Sequence, residues 1–436
     1  MKRAYRIAAC LAATALLAAA AALPAHAAKR DRENERERER ARPPGTRFRS
    51  PAEVKVPRPV GAEFAKDGEA EARLIAVYRL IGQGDGEKAL AEAEKLTQEY
   101  PNFQLGQLVY GDMLALRVRS VRMLGDIPDD SKTDPQALEE LRRESALRLK
   151  ALRERPPAGS VPMQFATVSP SSHHAIAVDA SRSRLYLFEN SADGLKLVAD
   201  YYVSVGKSGI DKSVEGDLRT PLGVYYITGR LDPKTLKPFY GAGALPINYP
   251  NPYDTRRGKT GGGIWLHGTP VTQFARAPLA TDGCVVIANP DLQRILQTVE
   301  IRSTPVVISE RLQWVPQQQA HAAVQAFEQT FAAWRGAKSK GDVVRTLGFY
   351  ATDFNSYGKS LTDWSMVLQQ DMQRAAGRPL QTKDLSVLRW QEGAGTEVMV
   401  VTFGEVADGE KTGPVRRQYW INSHGLWKIF FEGTIG

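Results

Sequence analysis

The sequence predicts a multidomain chain: an α-helical N-terminal module, a mostly-β domain in the middle and an α+β domain at the C-terminus. Three observations carry this. Apolar residues recur at helical spacing up to about residue 155; from Ala175 they fall into short runs separated by turn residues; after Trp314 and Pro316 a helical period returns and then gives way to strands. The chain has 436 residues, a length that suits two or three domains with real cores.

Residues 1–27 read as a secretory signal peptide. Lys2, Arg3 and Arg6 precede an Ala/Leu-rich run from Ile7 to Leu23, and Ala25-His26-Ala27 supplies a small-x-small cleavage site. The run is short and weakly apolar for a membrane span. No later segment is apolar enough to span, so an exported chain with no stable membrane insertion after cleavage is expected. Residues 28–67 read as a disordered tether: Lys29 to Ser50 is mostly alternating Arg and Glu, followed or closed by Pro43, Pro44, Pro51, Pro57 and Pro59.

Residues 68–155 read as a helical module. Leu74, Val77, Tyr78 and Ile81 share a helical face, which Gly82, Gly84 and Gly86 close. Lys88 to Tyr100 forms the next helix, in which Ala89, Leu90, Ala93 and Leu96, with Pro101, resemble the second helix of a tetratricopeptide-type hairpin. Residues 172–309 read as the mostly-β domain, with strands around Ile176, Leu185–Phe188, Tyr201–Val205, Val224–Ile227 and Val306–Ile308, and a hairpin turn at Ser191-Ala192-Asp193-Gly194. A helix follows Asn289, with that residue as N-cap and Pro290 first in the helix. In residues 320–436, Val324, Phe327, Phe331 and Trp334 mark one helix, and Leu361, Trp364 and Leu368 another, capped by Ser360 and stopped by Gly377. Strands then centre on Val387–Trp390, Val398–Phe403, Gln418–Ile421 and Trp427–Phe431.

The formal charge of +9 suggests an anionic partner only until it is located. Most of it lies in the leader and the tether, and residues 51–436 carry 46 basic against 44 acidic side chains. That gives no case for nucleic-acid binding. Two cysteines exclude a disulfide-stapled mini-domain and any four-cysteine metal site. Leader cleavage removes Cys10 and leaves Cys284 alone.

Cys284 lies in Thr281-Asp282-Gly283-Cys284-Val285-Val286-Ile287, and His267 in Ile264-Trp265-Leu266-His267-Gly268-Thr269. Each reactive side chain sits at the edge of an apolar run beside a glycine. A thiol nucleophile needs a base, and a nearby imidazolium lowers its pKa. Gly283 permits a tight turn in which the amides of Gly283 and Cys284 point at one spot, as an oxyanion requires. His173, His174, His321 (expected to open a helix) and His424 have no metal-ligand company. The residues point to cysteine–histidine acyl transfer, and give no sign of a metal or cofactor.

At these residues the chain resembles the L,D-transpeptidase catalytic domain. The family pattern is a His-Gly pair, a loop, then Ser/Thr-x-Gly-Cys and apolar residues, here His267-Gly268 and Thr281-Asp282-Gly283-Cys284. Val203-Ser204-Val205-Gly206-Lys207, Gly216-Asp217, Thr220-Pro221-Leu222-Gly223-Val224-Tyr225 and Asn248-Tyr249-Pro250-Asn251 extend the likeness over about 172–309. The resemblance implies Cys284 as nucleophile, His267 as base, the Gly268 carbonyl as its orienting group, the Gly283 and Cys284 amides as oxyanion hole, and Thr281 as support of the turn. It implies a peptidoglycan tetrapeptide stem as donor, cut before the terminal D-Ala. An amine acceptor gives transpeptidation, the expected reaction; water gives L,D-carboxypeptidase trimming. A non-catalytic wall-binding scaffold is the rival of another class. The implied location is the periplasm.

Two departures stand out: Asp282 replaces a frequent second histidine, and Val286 a frequent arginine or asparagine. Asp282 is expected to bond amides in its own turn, the alternative being contact with the acceptor amine. Arg276, the one charge between the motifs, is a candidate holder of a stem carboxylate. Thr281, Asp282 and Arg276 are therefore the candidate substrate-side residues. Residues from about 320 resemble a nuclear transport factor two-like cone, through Trp334, Asp342, Phe349-Tyr350, Asp353-Phe354 and Trp364. Some exported enzymes that trim stems and influence cell shape resemble this pairing. The cone and the helical module are the places expected for a dimer or partner contact.

Overall fold

The computed structural model describes residues 68–127, 133–375, 378–392 and 395–435. The expected signal peptide and tether, and the helix stop at Gly377, lie outside the described residues.

Four helices come first: α1 (Glu69–Gly82), α2 (Gly86–Glu99), α3 (Gln104–Ala115) and α4 (Pro135–Arg153). Asp85 caps α2 by accepting from the Lys88 amide, so Gly86 opens that helix rather than closing α1. Asp134 caps α4 ahead of Pro135. Leu74, Val77, Ala89, Ala93, Leu96 and Phe103 bury the facing sides, and none of these helices is long and apolar enough to cross a membrane.

Two short strands follow, β1 (Ser160–Pro162) and β2 (Phe165–Thr167). The β region then contains β3 (His174–Asp179), β4 (Arg184–Ser191), β5 (Gly194–Gly206), β6 (Gly223–Tyr226), β7 (Ala244–Pro246), α5 (Pro252–Arg256), β8 (Trp265–His267), β9 (Leu279–Thr281), β10 (Val285–Ile287), α6 (Asn289–Thr298) and β11 (Pro305–Ser309). Among the described residues its strands form one sheet in the order β6-β11-β3-β4-β5-β10-β8-β7, with β9 beside β5. The β4–β5 hairpin closes at Ser191 opposite Gly194, as the turn residues require.

This sheet is apolar on both faces, and each face has its own cover. Ile176, Val178, Leu185, Leu187, Tyr201 and Val203 pack with Leu292 and Ile295 of α6. Ala175, Ala177, Tyr186 and Phe188 point the other way, into a core shared with Leu388, Val398, Val400 and Tyr419. Those last four belong to the C-terminal region. It runs through β12 (Trp314–Pro316), α7 (Gln317–Ala322), α8 (Gln325–Ser339), α9 (Val343–Leu347), β13 (Asn355–Ser356), β14 (Lys359–Ser360), α10 (Leu361–Ala375), β15 (Leu380–Glu392), β16 (Thr396–Ala407), β17 (Val415–Ser423) and β18 (Leu426–Ile435).

The C-terminal sheet has the order β18-β17-β16-β15-β2, so its last strand is supplied from ahead of the β region. Its other face carries Met399, Val401, Phe403 and Trp420, which pack with Phe327, Phe331 and Trp334 of α8 and Trp364 of α10. Ser360 caps α10 as expected, exchanging bonds with Asp363. His321 stands in the last turn of α7 rather than at its start.

A buried charge cluster ties the helices to the β sheet. Glu71 of α1 accepts from Arg184 of β4 at 2.7 Å on one oxygen and from Arg148 of α4 at 2.6 Å on the other. Arg184 also pairs with Asp200 of β5, and Arg148 with Glu144, while the Arg148 guanidinium lies 4.0 Å from the Tyr202 ring centre. All five charged side chains are buried. Removing one partner leaves buried charge uncompensated. Arg184→Leu is therefore expected to lower unfolding free energy by about 3–5 kcal/mol, read as a drop in the urea midpoint. An unchanged midpoint would show that the cluster does not hold helices to sheet.

Candidate active site

β8 and β10 are short parallel neighbours, with Leu266 opposite Val285 and His267 opposite Val286. Leu266 and Val285 are fully buried in the core below. Strand alternation then puts Trp265, His267, Cys284 and Val286 on the opposite face. Tyr240 lies over that face, its ring centre 4.9 Å from that of Trp265 and 5.0 Å from that of His267. His267, Cys284 and Arg276 line one open cavity of 520 Å³, with Lys212, Tyr240 and Asp282. A larger cavity of 740 Å³ between α5 and the β17–β18 edge has no cysteine or histidine in its wall.

His267 is buried, and its Nδ1 lies 2.7 Å from the Gly268 carbonyl. A carbonyl only accepts, so Nδ1 carries the proton and Nε2 is left as an acceptor. Burial pushes the imidazole down to about 4, the positive charge of Arg276 adding to this against the Gly268 bond. Cys284 is half-buried, with Sγ 3.5 Å from the Gly263 carbonyl. Burial pushes its thiol up to about 11; the Trp265 amide and Arg276 oppose that, and Asp282 reinforces it. Both shifts favour the neutral form, thiol for Cys284 and imidazole for His267. They run against the thiolate–imidazolium pair expected from residue types alone, because burial disfavours charge on either group.

The turn before Cys284 is held from two sides. Thr281 Oγ1 donates to the Cys284 carbonyl at 2.7 Å and accepts from the Gly283 amide at 3.1 Å. Thr281 therefore supports the turn, while its buried side chain also borders the Cys284 cavity. The same bond occupies the Gly283 amide, which corrects its expected place in an oxyanion hole and leaves the Cys284 amide as the candidate donor. Gly283 has φ 123°, and a Cβ there would stand 2.7 Å from the Arg219 carbonyl. Thr220 supports the same turn. Its buried Oγ1 donates to the Gly283 carbonyl at 2.9 Å and accepts from the Gly206 amide at 2.9 Å. It is the threonine of the Thr-Pro-Leu-Gly segment, so the signal was present without its meaning.

Two further expectations change. Asn289 is the first residue of α6, and its side chain does not cap that helix. Its Oδ1 accepts from the Ala242 and Thr269 amides at 2.9 and 3.2 Å, and its Nδ2 donates to the Thr269 carbonyl at 2.8 Å. A Cβ on Gly268 would lie 2.1 Å from that Oδ1, so the Asn289 side chain leaves room only for glycine at position 268. Asp282 makes no bond in its own turn. It is exposed and pairs with Lys207 at 2.8 Å, because Thr281 already closes the turn. Arg276 stacks 4.1 Å over Phe239, and its guanidinium has no ion pair among the described residues. Among the described residues no group of three or more His, Cys, Asp or Glu is gathered as a metal site would need.

Residues 173–308 match the family model of the L,D-transpeptidase catalytic domain, and residues 326–433 that of the Cds6 C-terminal NTF2-like domain. Among solved structures, Bd1075 of Bdellovibrio bacteriovorus is 24% identical with a TM-score of 0.52, covering 63% of this chain and 98% of its own. Pgp2 of Campylobacter jejuni, whose structure is described as that of a helical cell shape determining protein, is 20% identical with a TM-score of 0.48, covering 66% and 99%. No curated protein matches. The first of these likenesses bears on the fold alone. Taken with the strand-borne histidine and cysteine, the model matches make residues 173–308 a domain of the L,D-transpeptidase catalytic family, and residues 326–433 a domain of the NTF2-like family.

Proposed function

We propose that the protein is an exported, periplasmic peptidoglycan L,D-transpeptidase that acts through a Cys284 acyl-enzyme. The observation that carries this reading is the common cavity of Cys284, His267 and Arg276, floored by the parallel β8–β10 pair. In this reading His267 Nε2, unprotonated at neutral pH, takes the Cys284 proton as Sγ attacks the carbonyl carbon of the third stem residue. The oxyanion that forms accepts from the Cys284 amide. Collapse breaks the bond to the terminal D-Ala, whose nitrogen receives the proton from the imidazolium. The thioester is then attacked by an amine; His267 takes the amine's proton, and the thiol is restored as the new amide leaves. Arg276 holds a carboxylate of the donor, and its charge also favours sulfur as thiolate at the moment of attack. The Gly268 carbonyl, stabilising the Nδ1 proton, holds the ring for both transfers.

One observation favours an amine over water as acceptor. A second groove of 570 Å³, walled by Ala137, Glu140 and Leu141 of α4 and by residues 270–280, shares Phe239 and Arg276 with the Cys284 cavity. It offers room for a second stem beside the acyl-enzyme.

Incubation of the full chain with disaccharide-tetrapeptide, read by mass, is expected to give cross-linked dimers and free D-Ala, and Cys284→Ala none. Tripeptide and D-Ala without dimers would assign the carboxypeptidase reaction instead. Activity retained in Cys284→Ala would overturn the mechanism, and no turnover in the unaltered chain would favour a wall-binding scaffold.

The pH dependence follows from the two shifts. His267 loses its proton on going above about pH 4, so turnover should be present at neutrality and fall as pH drops through about 4. Cys284 holds its proton up to about pH 11, so iodoacetamide at pH 6 should alkylate it more slowly than a free thiol, with the rate climbing towards alkaline pH. A fast alkylation plateau at pH 6 would reveal a resting thiolate–imidazolium pair.

A further inference from the structure

The ten residues between Gly268 and Leu279 form an irregular loop that joins β8 to the Cys284 turn and carries Arg276. Its two halves are anchored differently. The second half lies on β5: Tyr202 Oη donates to the Arg276 carbonyl at 2.9 Å, Ser204 Oγ to the Ala277 carbonyl at 2.5 Å, and the Val205 amide to the Pro278 carbonyl at 2.9 Å. The first half lies on the corner between α2 and α3. Asn102 Nδ2 donates to the Val271 carbonyl at 3.0 Å, Gln104 Nε2 to the Thr272 carbonyl at 3.3 Å, and the Phe274 amide to the Asn102 carbonyl at 2.9 Å. The Phe274 ring is 4% exposed, tilted against Phe103 at 4.3 Å and edge-on to Tyr100 at 5.7 Å between ring centres. It is the loop's member of the helical core.

We propose that the Tyr100–Phe103 corner of the helical segment is a positioning element for the candidate active site, and that Phe274 is the positioning residue through which it fixes Arg276. The helices are then part of the site's frame. Their own placement is set against the same strand that holds Arg276, because the Glu71–Arg184–Asp200 cluster ends on β5 and Arg148 stacks on Tyr202. One span of β5 and one helical corner thus hold the loop from both ends, with Phe274 two residues from the guanidinium. The seat is specific in shape: an aromatic ring between two aromatic rings, with backbone bonds on either side of it.

The proposal rests on the reading of Arg276 as a substrate contact, and the test separates the two. In the full chain with disaccharide-tetrapeptide, Arg276→Ala should raise KM about tenfold, the scale of one charge-assisted hydrogen bond. Phe274→Ala should raise KM by about the same factor with kcat within about twofold. The double variant should be no worse than Arg276→Ala, since Phe274 acts through that side chain. Phe274→Tyr, which keeps the aromatic ring, should restore much of the loss. Asn102→Ala, a milder change should Phe274→Ala fold poorly, should raise KM about threefold. Hydrogen exchange reads the loop without turnover: amides 275–277 should exchange about tenfold faster in either loosened variant. Unchanged exchange, unchanged KM in both variants, or effects that multiply in the double variant would overturn the proposal. An unaltered chain that releases no D-Ala would instead overturn the functional reading, and the exchange result would still decide the positioning.

Discussion

The parallel pairing of β8 with β10 is the constraint on which the candidate site depends. It sets two chain segments side by side in one register, His267 opposite Val286. A slip by one residue would send His267 or Cys284 into the core and bring Leu266 or Val285 out. The register is therefore fixed by burial, not by the polar groups of the site. Leu266 and Val285 anchor it from below, while Thr220, Thr281 and Asn289 fix the flanking turns by bonds to backbone.

Much of this was legible in the residue order. The changes of apolar period located the helices, the β region and the α+β region, because each buries a different face geometry. The histidine and cysteine motifs were legible for the same reason: a reactive side chain at the end of an apolar run with glycine beside it has few bland uses. What escaped was long-range partnership. Asn289 precedes a proline at a helix start, which is where a cap is expected. Only the folded chain brings Ala242 and Thr269 within its reach. Asp282 stands before glycine, where a turn bond is expected, but Thr281 had taken that bond and Lys207 was near. The direction of the thiol and imidazole pKa shifts was hidden as well, since it depends on burial rather than on residue type.

The helical segment illustrates how an accessory element becomes part of a site. Its sequence shows helical spacing of small and apolar residues among many charged ones, with nothing that marks which charges are buried. In the fold, its core takes in Phe274 and Ala288 from the β region, and its acidic and basic side chains meet β4 and β5 in a buried cluster. Buried ion pairs add little net stability against apolar packing, but they tolerate few alternative alignments. Here the cluster joins α1 and α4 to β4 and β5.

The strand β2 has a consequence of another kind. Ser169, just beyond it, bonds through its amide to Ser386, 217 residues further along the chain. β2 itself pairs with β15 on the edge of the C-terminal sheet. The two sheets are therefore interlocked in sequence as well as packed in space. A chain emerging amino end first presents β2 long before its partner exists, and that strand waits unpaired while the intervening segment forms. Contacts of such separation slow folding and prolong the exposure of strand edges. The C-terminal region is thus no detachable cassette. Without the residues after β11, β2 would lack its neighbour β15, and the face of the β region that packs on Leu388, Val398, Val400 and Tyr419 would be uncovered.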